Sequence, residues 1–196
     1  MIPLLAVVLA YLIGGIPFGY LFVRATTGQD VRGLGSGNIG ATNVLRTTGR
    51  AVAVGVLLLD IAKGYLAVWL AARLTDGSLL WISLAAAAVM LGHCYPVFLK
   101  FKGGKAVACF IGAFLFLAPW PLLAVLLLFV IVVAQTRHIS LGSIVAAGLF
   151  PLAVWLIEHP PAPVLLVSVF AAVLIVYRHQ SNLERIRAGN ESVFRF

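Results

Sequence analysis

The sequence predicts an all-α membrane protein of seven transmembrane helices, and three observations predict it. Of the 196 residues, 62% are hydrophobic and 10% are charged, where soluble domains carry about a quarter charged residues. The apolar residues come in long runs, separated by short breaks rich in Gly, Pro or polar residues. The 14 Lys and Arg greatly outnumber the 6 Asp and Glu and gather in alternate breaks, as cytoplasmic loops require. A soluble core of this size would leave much of that apolar surface in water. Composition therefore excludes a soluble globular protein, a disordered chain and a secreted disulfide scaffold. A net charge of +8 would suggest nucleic acid in a soluble protein. Here orientation in the membrane explains it and no nucleic-acid partner is expected. A phosphate site would add to the same excess, and composition does not separate the two.

Residues 2–23, 51–72, 79–99, 141–157 and 164–177 each read as a spanning or near-spanning helix, since about 20 residues cross a bilayer. The shorter ones imply tilt or local thinning. The first run is too long for a signal-peptide core and lacks a basic leader and a cleavage site, so it is expected to be retained as a span. Residues 106–135 form one apolar block broken by Pro119-Trp120-Pro121. A single straight helix there would be about 45 Å long, against a hydrocarbon core of ~30 Å. Two helices would have about 13–15 residues each. Charge decides. With two helices, Arg24, Arg32, Arg46, Arg50, Lys100, Lys102, Lys105, Arg137, Arg178, Arg185, Arg187 and Arg195 lie at or beyond one face. Arg73 then lies near the other face and Lys63 within a span. With one helix, Arg137 and the C-terminal arginines would change sides. The expectation is a single domain over residues 1–196, with a periplasmic N-terminus and a cytoplasmic C-terminus. Its outer loops, 75–78, 119–121 and 158–163, are short, and its polar segments all face the cytoplasm.

Those polar segments carry the chemistry. Residues 33–43 are rich in glycine, which lets backbone N–H groups approach an anion closely. Ser36, Asn38, Thr42 and Asn43 add side-chain hydrogen bonds, and Arg46 adds a charged fork. No Gly-Lys-Ser/Thr follows, so this is not a Walker A loop. The alternative is a plain flexible loop. In the second segment Lys102 and Lys105 flank Gly103-Gly104 at the start of a helix, a favourable place for phosphate. Lys100 reads instead as an inner-face anchor. His93, near the end of its span, stays open between a structural hydrogen bond and catalysis. In the third, residues 137–143, Ser140 can cap the following helix and Ser143 projects from its first turn. In the fourth, His179 and Asn182 are three apart and share a helix face. With Arg178 or Arg185 they suit an anion, and Gly189 and Glu191 follow. Asp60 and Lys63, three apart within a span, are expected to pair, because ionisable groups at membrane depth are costly alone. No G-x-S-x-G elbow, zinc pattern or C-x-x-C is present. Cys94 and Cys109 read as small buried hydrophobes.

The runs 35–44, Gly92-His93…Pro96…Phe101-Lys102-Gly103-Gly104-Lys105 and Arg178-His179…Asn182…Arg185…Gly189…Glu191 resemble the three signature regions of the bacterial PlsY family. These are membrane-embedded, acyl-phosphate-dependent glycerol-3-phosphate acyltransferases. The resemblance covers the whole chain. Ala106 and Cys109 stand where Gly and Thr are more usual. The resemblance implies seven helices in the bacterial inner membrane and an active site at the cytoplasmic face. It implies transfer of an acyl group from acyl phosphate to sn-glycerol 3-phosphate, giving lysophosphatidate and phosphate as the first acylation in phospholipid synthesis. It also implies no metal or cofactor, and a functional link to an enzyme that makes acyl phosphate. Among the implied site residues, Ser36, Lys105, His179 and Asn182 are catalytic. Phosphate is held by Ser36, Gly37, Asn38, Gly40, Thr42, Asn43, Arg46, Arg50, Lys102, Gly103, Gly104, Lys105, Ser143, His179 and Asn182. Within that set Asn38, Asn43 and Arg50 suit the glycerol phosphate. His179 is open between general base and phosphate ligand, and a substrate-assisted route is favoured. An acyl-cysteine at Cys94 or Cys109 is the less favoured path. A small anion carrier is the rival class, but carriers commonly show internal repeats and midplane sites, whereas here repeats are not evident and most polar residues cluster at one face.

Overall fold

The computed structural model describes residues 1–194, so Arg195 lies outside the described residues. Among them there is helix and loop but no strand, as expected of backbone that must satisfy its hydrogen bonds locally in lipid. The chain forms two compact units, Met1–Phe116 and the part from Leu117 onward.

The first unit opens with α1 (Ile2–Gly14) and α2 (Phe18–Thr27). The sequence reads this as one span, and Ile2–Thr27 is one span-length apolar segment; within it the helix is interrupted at Gly15-Ile16-Pro17, because Pro17 has no N–H for a continuing helix. Lys63 Nζ donates to the Ile16 carbonyl opened by the break, at 2.8 Å. Two short elements follow, a 3-10 turn at Val31–Gly33 and α3 (Ala41–Thr47). The long helices are α4 (Arg50–Leu74) and α5 (Leu79–Cys94), and then comes α6 (Val107–Leu117). Small residues let these helices touch through their backbones. A Cβ at Gly14 would collide with the Val89 carbonyl of α5, and one at Gly112 with the Ile61 carbonyl of α4.

The second unit contains α7 (Pro119–Thr136), α8 (Ile139–Glu158), α9 (Ala162–Arg178) and α10 (Gln180–Arg187). α7 packs on α8 and α8 on α9. Between α9 and α10 the chain bends by 51°. The 106–135 block is thus two helices separated at Ala118, but they have 11 and 18 residues rather than near-equal lengths. The pair of prolines explains the asymmetry: both fit the first turn of α7, where N–H groups have no intrahelical acceptor. Large apolar side chains such as Leu127 and Val130 on α7 and Leu166 and Val173 on α9 are exposed, as lipid-facing groups are. Among the described residues, five helical segments are long and apolar enough to cross a membrane, or six if the bent α9–α10 pair is one span. α6 is apolar but shorter.

Candidate functional site

The first unit brings two of the polar segments together. Val31, Ile39 and Val44 of the glycine-rich segment are buried with Val23 of α2, Ala53 and Val56 of α4, and Leu99 from the 97–105 loop. Burying a Val or Ile contributes about 1.5–3 kcal/mol, so three such anchors pin a loop whose glycines alone would leave it mobile. The Ser36 and Arg46 segment and the Lys102–Lys105 segment therefore share one small core.

Inside the loop Asn43 is the organiser. It is almost fully buried. Its Nδ2 donates to the carbonyls of Leu34 and Asn38, at 3.0 and 2.9 Å, and its Oδ1 accepts from Ser36 N at 2.9 Å. Both amide hydrogens are used within the loop, so Asn43 acts as a strut. Asn38 Oδ1 accepts from Gly40 N at 2.7 Å. Gly35 and Gly37 sit at φ +55° and +70°, the left-handed region where glycine costs nothing. This bracing turns Ser36 and Arg46 outward. Ser36, Arg46 and Arg50 are exposed. Arg46 and Arg50 make no ion pair among the described residues, whereas Arg32 is held by Asp30 at 2.6 Å. That guanidinium keeps the Asp30 carboxyl below its ordinary range.

The second loop is tightly wound. Phe101 N donates to Pro96 O, Gly103 N to Cys94 O and Gly104 N to His93 O, at 2.9, 3.1 and 2.9 Å. Gly104 is buried, Lys105 is half-buried and Lys102 is exposed. Lys100, Phe101 and Ala106 have φ between +53° and +64°, so three non-glycine residues adopt the left-handed conformation around Gly-Gly-Lys. α6 begins only at Val107, two residues beyond Lys105.

Beneath this loop Asp60 and Lys63 pair at 2.7 Å, both nearly inaccessible, as the sequence predicts. His93 Nδ1 is 3.8 Å from the same carboxylate. Asp60, His93 and Cys109 offer ligand atoms within 4.8 Å of one another, but the Lys63 ammonium already supplies the positive charge there. Cys94 and Cys109 are both buried, as the sequence predicts.

In the second unit Ser140 is not the cap that its position suggests. The cap residue is His138, without a side-chain cap bond. Ser140 Oγ instead donates to Glu191 Oε1 at 2.7 Å. Glu191 also accepts from Asn182 Nδ2 at 2.6 Å and from Arg185 Nε at 2.7 Å. Burial pushes the Glu191 carboxyl up, but these three donors and the Arg185 charge outweigh it and leave it below the ordinary value. Arg185 is thus committed to Glu191, and one Asn182 hydrogen is committed too. The sequence places Glu191 in the last signature run but gives it no role. Ser143 Oγ donates to Ile139 O at 2.9 Å; turning the hydroxyl hydrogen would redirect it to an anion. His179 is buried at the α9–α10 bend, and its Nδ1 lies 2.7 Å from Ile175 O. A carbonyl only accepts, so Nδ1 carries a hydrogen. Nε2 is then an acceptor in the neutral ring and a donor in the charged one.

Apolar helices of spanning length joined by short polar loops define a class, that of an integral membrane protein. The model of the glycerol-3-phosphate acyltransferase family matches residues 4–189. A glycerol-3-phosphate acyltransferase of Geobacter sulfurreducens is 46% identical over 98% of this chain and 97% of its own length. One of Jannaschia sp. is 47% identical over 95% and 90%. The crystal structure of the integral membrane glycerol 3-phosphate acyltransferase PlsY in its glycerol 3-phosphate form superposes with a TM-score of 0.92 at 36% identity, covering 98% of this chain and 96% of that one. Its lysophosphatidic acid form gives 0.89 at 35% identity, covering 98% and 95%. The chain belongs to the glycerol-3-phosphate acyltransferase family.

Proposed function

We propose that the chain transfers a fatty acyl group from acyl phosphate to the 1-hydroxyl of sn-glycerol 3-phosphate at the cytoplasmic face of the bacterial inner membrane. It acts as one domain of seven spans, with α6 as the short one. The products are 1-acylglycerol 3-phosphate and inorganic phosphate. The observation that supports the proposal is the core shared by Val31, Ile39 and Val44 with Leu99, which anchors the segment bearing Ser36 and Arg46 beside the one that leads to Lys105. The relative's glycerol 3-phosphate and lysophosphatidic acid forms support the acceptor and the product.

In this reading Ser36, Arg46, Lys105, Ser143, His179 and Asn182 hold the donor's phosphate. Holding that charge makes phosphate a better leaving group and polarises the adjoining carbonyl. Asn38 and Arg50 hold the glycerol phosphate, and much of the rate comes from placing its hydroxyl beside the carbonyl. The hydroxyl oxygen bonds to the acyl carbon, the carbon–oxygen bond to phosphate breaks, and the hydroxyl proton leaves with the phosphate. His179, with a hydrogen on Nδ1, acts as phosphate ligand. No metal or cofactor enters, and the donor comes from a separate enzyme that makes acyl phosphate.

The test is donor choice by purified protein. With palmitoyl phosphate and labelled glycerol 3-phosphate, lysophosphatidate and phosphate should form in equal amounts, and palmitoyl-CoA should not replace the donor. Phosphate flux across vesicles without acyl transfer would instead establish a carrier.

A further inference from the structure

His93 is buried at the end of α5, and the reaction as proposed does not use it. Its ring is trapped between two neighbours. On the Nδ1 side, 3.8 Å away, lies the Asp60 carboxylate, itself fixed by Lys63 at 2.7 Å. On the Nε2 side lies Gly104: a Cβ there would run into Nε2, Cε1 and Cδ2 of the imidazole. The backbone repeats the link, since Gly104 N donates to His93 O at 2.9 Å and Gly103 N to Cys94 O at 3.1 Å. A Cβ at Gly103 would collide with His93 O and Pro96 Cδ. The two glycines therefore let the turn settle directly onto the imidazole and the end of α5. Lys63 in turn donates to Ile16 O, so the support under His93 is tied into the first helix break as well.

We propose that His93 is a positioning residue: its imidazole, wedged between Asp60 and the Cα of Gly104, sets the seat of the Gly103-Gly104 turn and so the point from which Lys105 reaches phosphate. This rests on the reading of Lys105 as a phosphate ligand. Consecutive Cα atoms are about 3.8 Å apart, so a shift of Gly104 passes almost undiminished to Lys105.

The experiment is a double-mutant cycle on the full chain in detergent, with inorganic phosphate as probe. The phosphate concentration for half-maximal thermal stabilisation is measured for wild type, G104A, H93A and H93A/G104A. KM and kcat for acylation are followed alongside. The new methyl group of G104A should lift the turn off the ring and weaken phosphate binding about tenfold, a factor equivalent to ~1.4 kcal/mol. In the H93A background the methyl group has room, so G104A should cost less than about twofold more. The acylation defect should appear in KM before kcat. Should H93A fail to fold, the same cycle in H93Q decides, because the flexible amide end can give way to the methyl group where the rigid ring cannot.

Equal cost of G104A in both backgrounds overturns the proposal. So does a fall in the empty protein's melting point with unchanged phosphate dependence, the mark of a purely structural histidine. A wild-type chain that does not respond to phosphate at all overturns the reading of Lys105, and the positioning role with it. A wild-type response with multiplying costs removes only the positioning role.

Discussion

Glu191 accepts hydrogen bonds from Ser140, Asn182 and Arg185 and so joins the start of α8, α10 and the C-terminal segment. Removing it leaves buried donors without an acceptor, at about 1–3 kcal/mol for each. Glu191→Ala should therefore lower the thermal midpoint by several degrees and reduce activity through Asn182, measured by melting and turnover of one preparation. The carboxyl lies below its ordinary value in the folded chain. Its contribution is thus present above the unfolded carboxyl's pKa of ~4.3 and is lost as pH falls through the folded value. The melting difference between wild type and Glu191→Gln should be full at pH 7 and shrink below about pH 4; a constant difference contradicts the assignment. At His179 the hydrogen on Nδ1 points to Ile175 O. If the ring is a phosphate ligand, His179→Asn should keep measurable rate and the same near-neutral limb in the pH–rate profile. Loss of that limb would make His179 the base. The residue types themselves were legible in the sequence, as at Asn43 and Glu191. Roles were not. Asn43 as strut and Glu191 as three-way acceptor depend on contacts 5–51 residues apart, which spacing does not display.

At the scale of elements, α4 carries a buried ion pair that reaches beyond its own helix. Lys63 bonds Asp60 and the Ile16 carbonyl and lies 5.5 Å from the Phe18 ring centroid. The pair was readable from its three-residue spacing, and its reach to the α1–α2 break was not. Breaking a buried pair on one side costs about 3–5 kcal/mol. Lys63→Ala should therefore unfold at markedly lower temperature, while Asp60→Asn/Lys63→Met recovers much of the loss. Equal melting of the single and double variants would show that the pair does not hold the unit together. α6 starts after Ala106 at φ +64°, in the left-handed region. A non-glycine residue there costs about 1–2 kcal/mol, and replacement by glycine returns part of that while adding freedom to the unfolded chain. Ala106→Gly should melt within about a degree or two of wild type and stay active, whereas Ala106→Val should lose stability and phosphate affinity, because a β-branched residue tolerates that conformation worst. The break at residues 118–121 was legible because two prolines declare it. The break at Gly15-Ile16-Pro17 was hidden by unbroken hydropathy on both sides.

For the whole molecule, hydropathy and charge fixed the class, since 62% hydrophobic residues allow few alternatives to a helical membrane protein. Family membership follows from similarity along the length of the chain. The central claim is that the glycine-rich and Gly-Gly-Lys loops grip the phosphate of an acylated donor. The most direct measurement is a structure of the protein with a non-hydrolysable acyl-phosphate analogue. The account predicts its phosphorus group within hydrogen-bond distance of Ser36 Oγ and Lys105 Nζ, with the acyl chain among apolar helices. A phosphorus group away from both residues would contradict it.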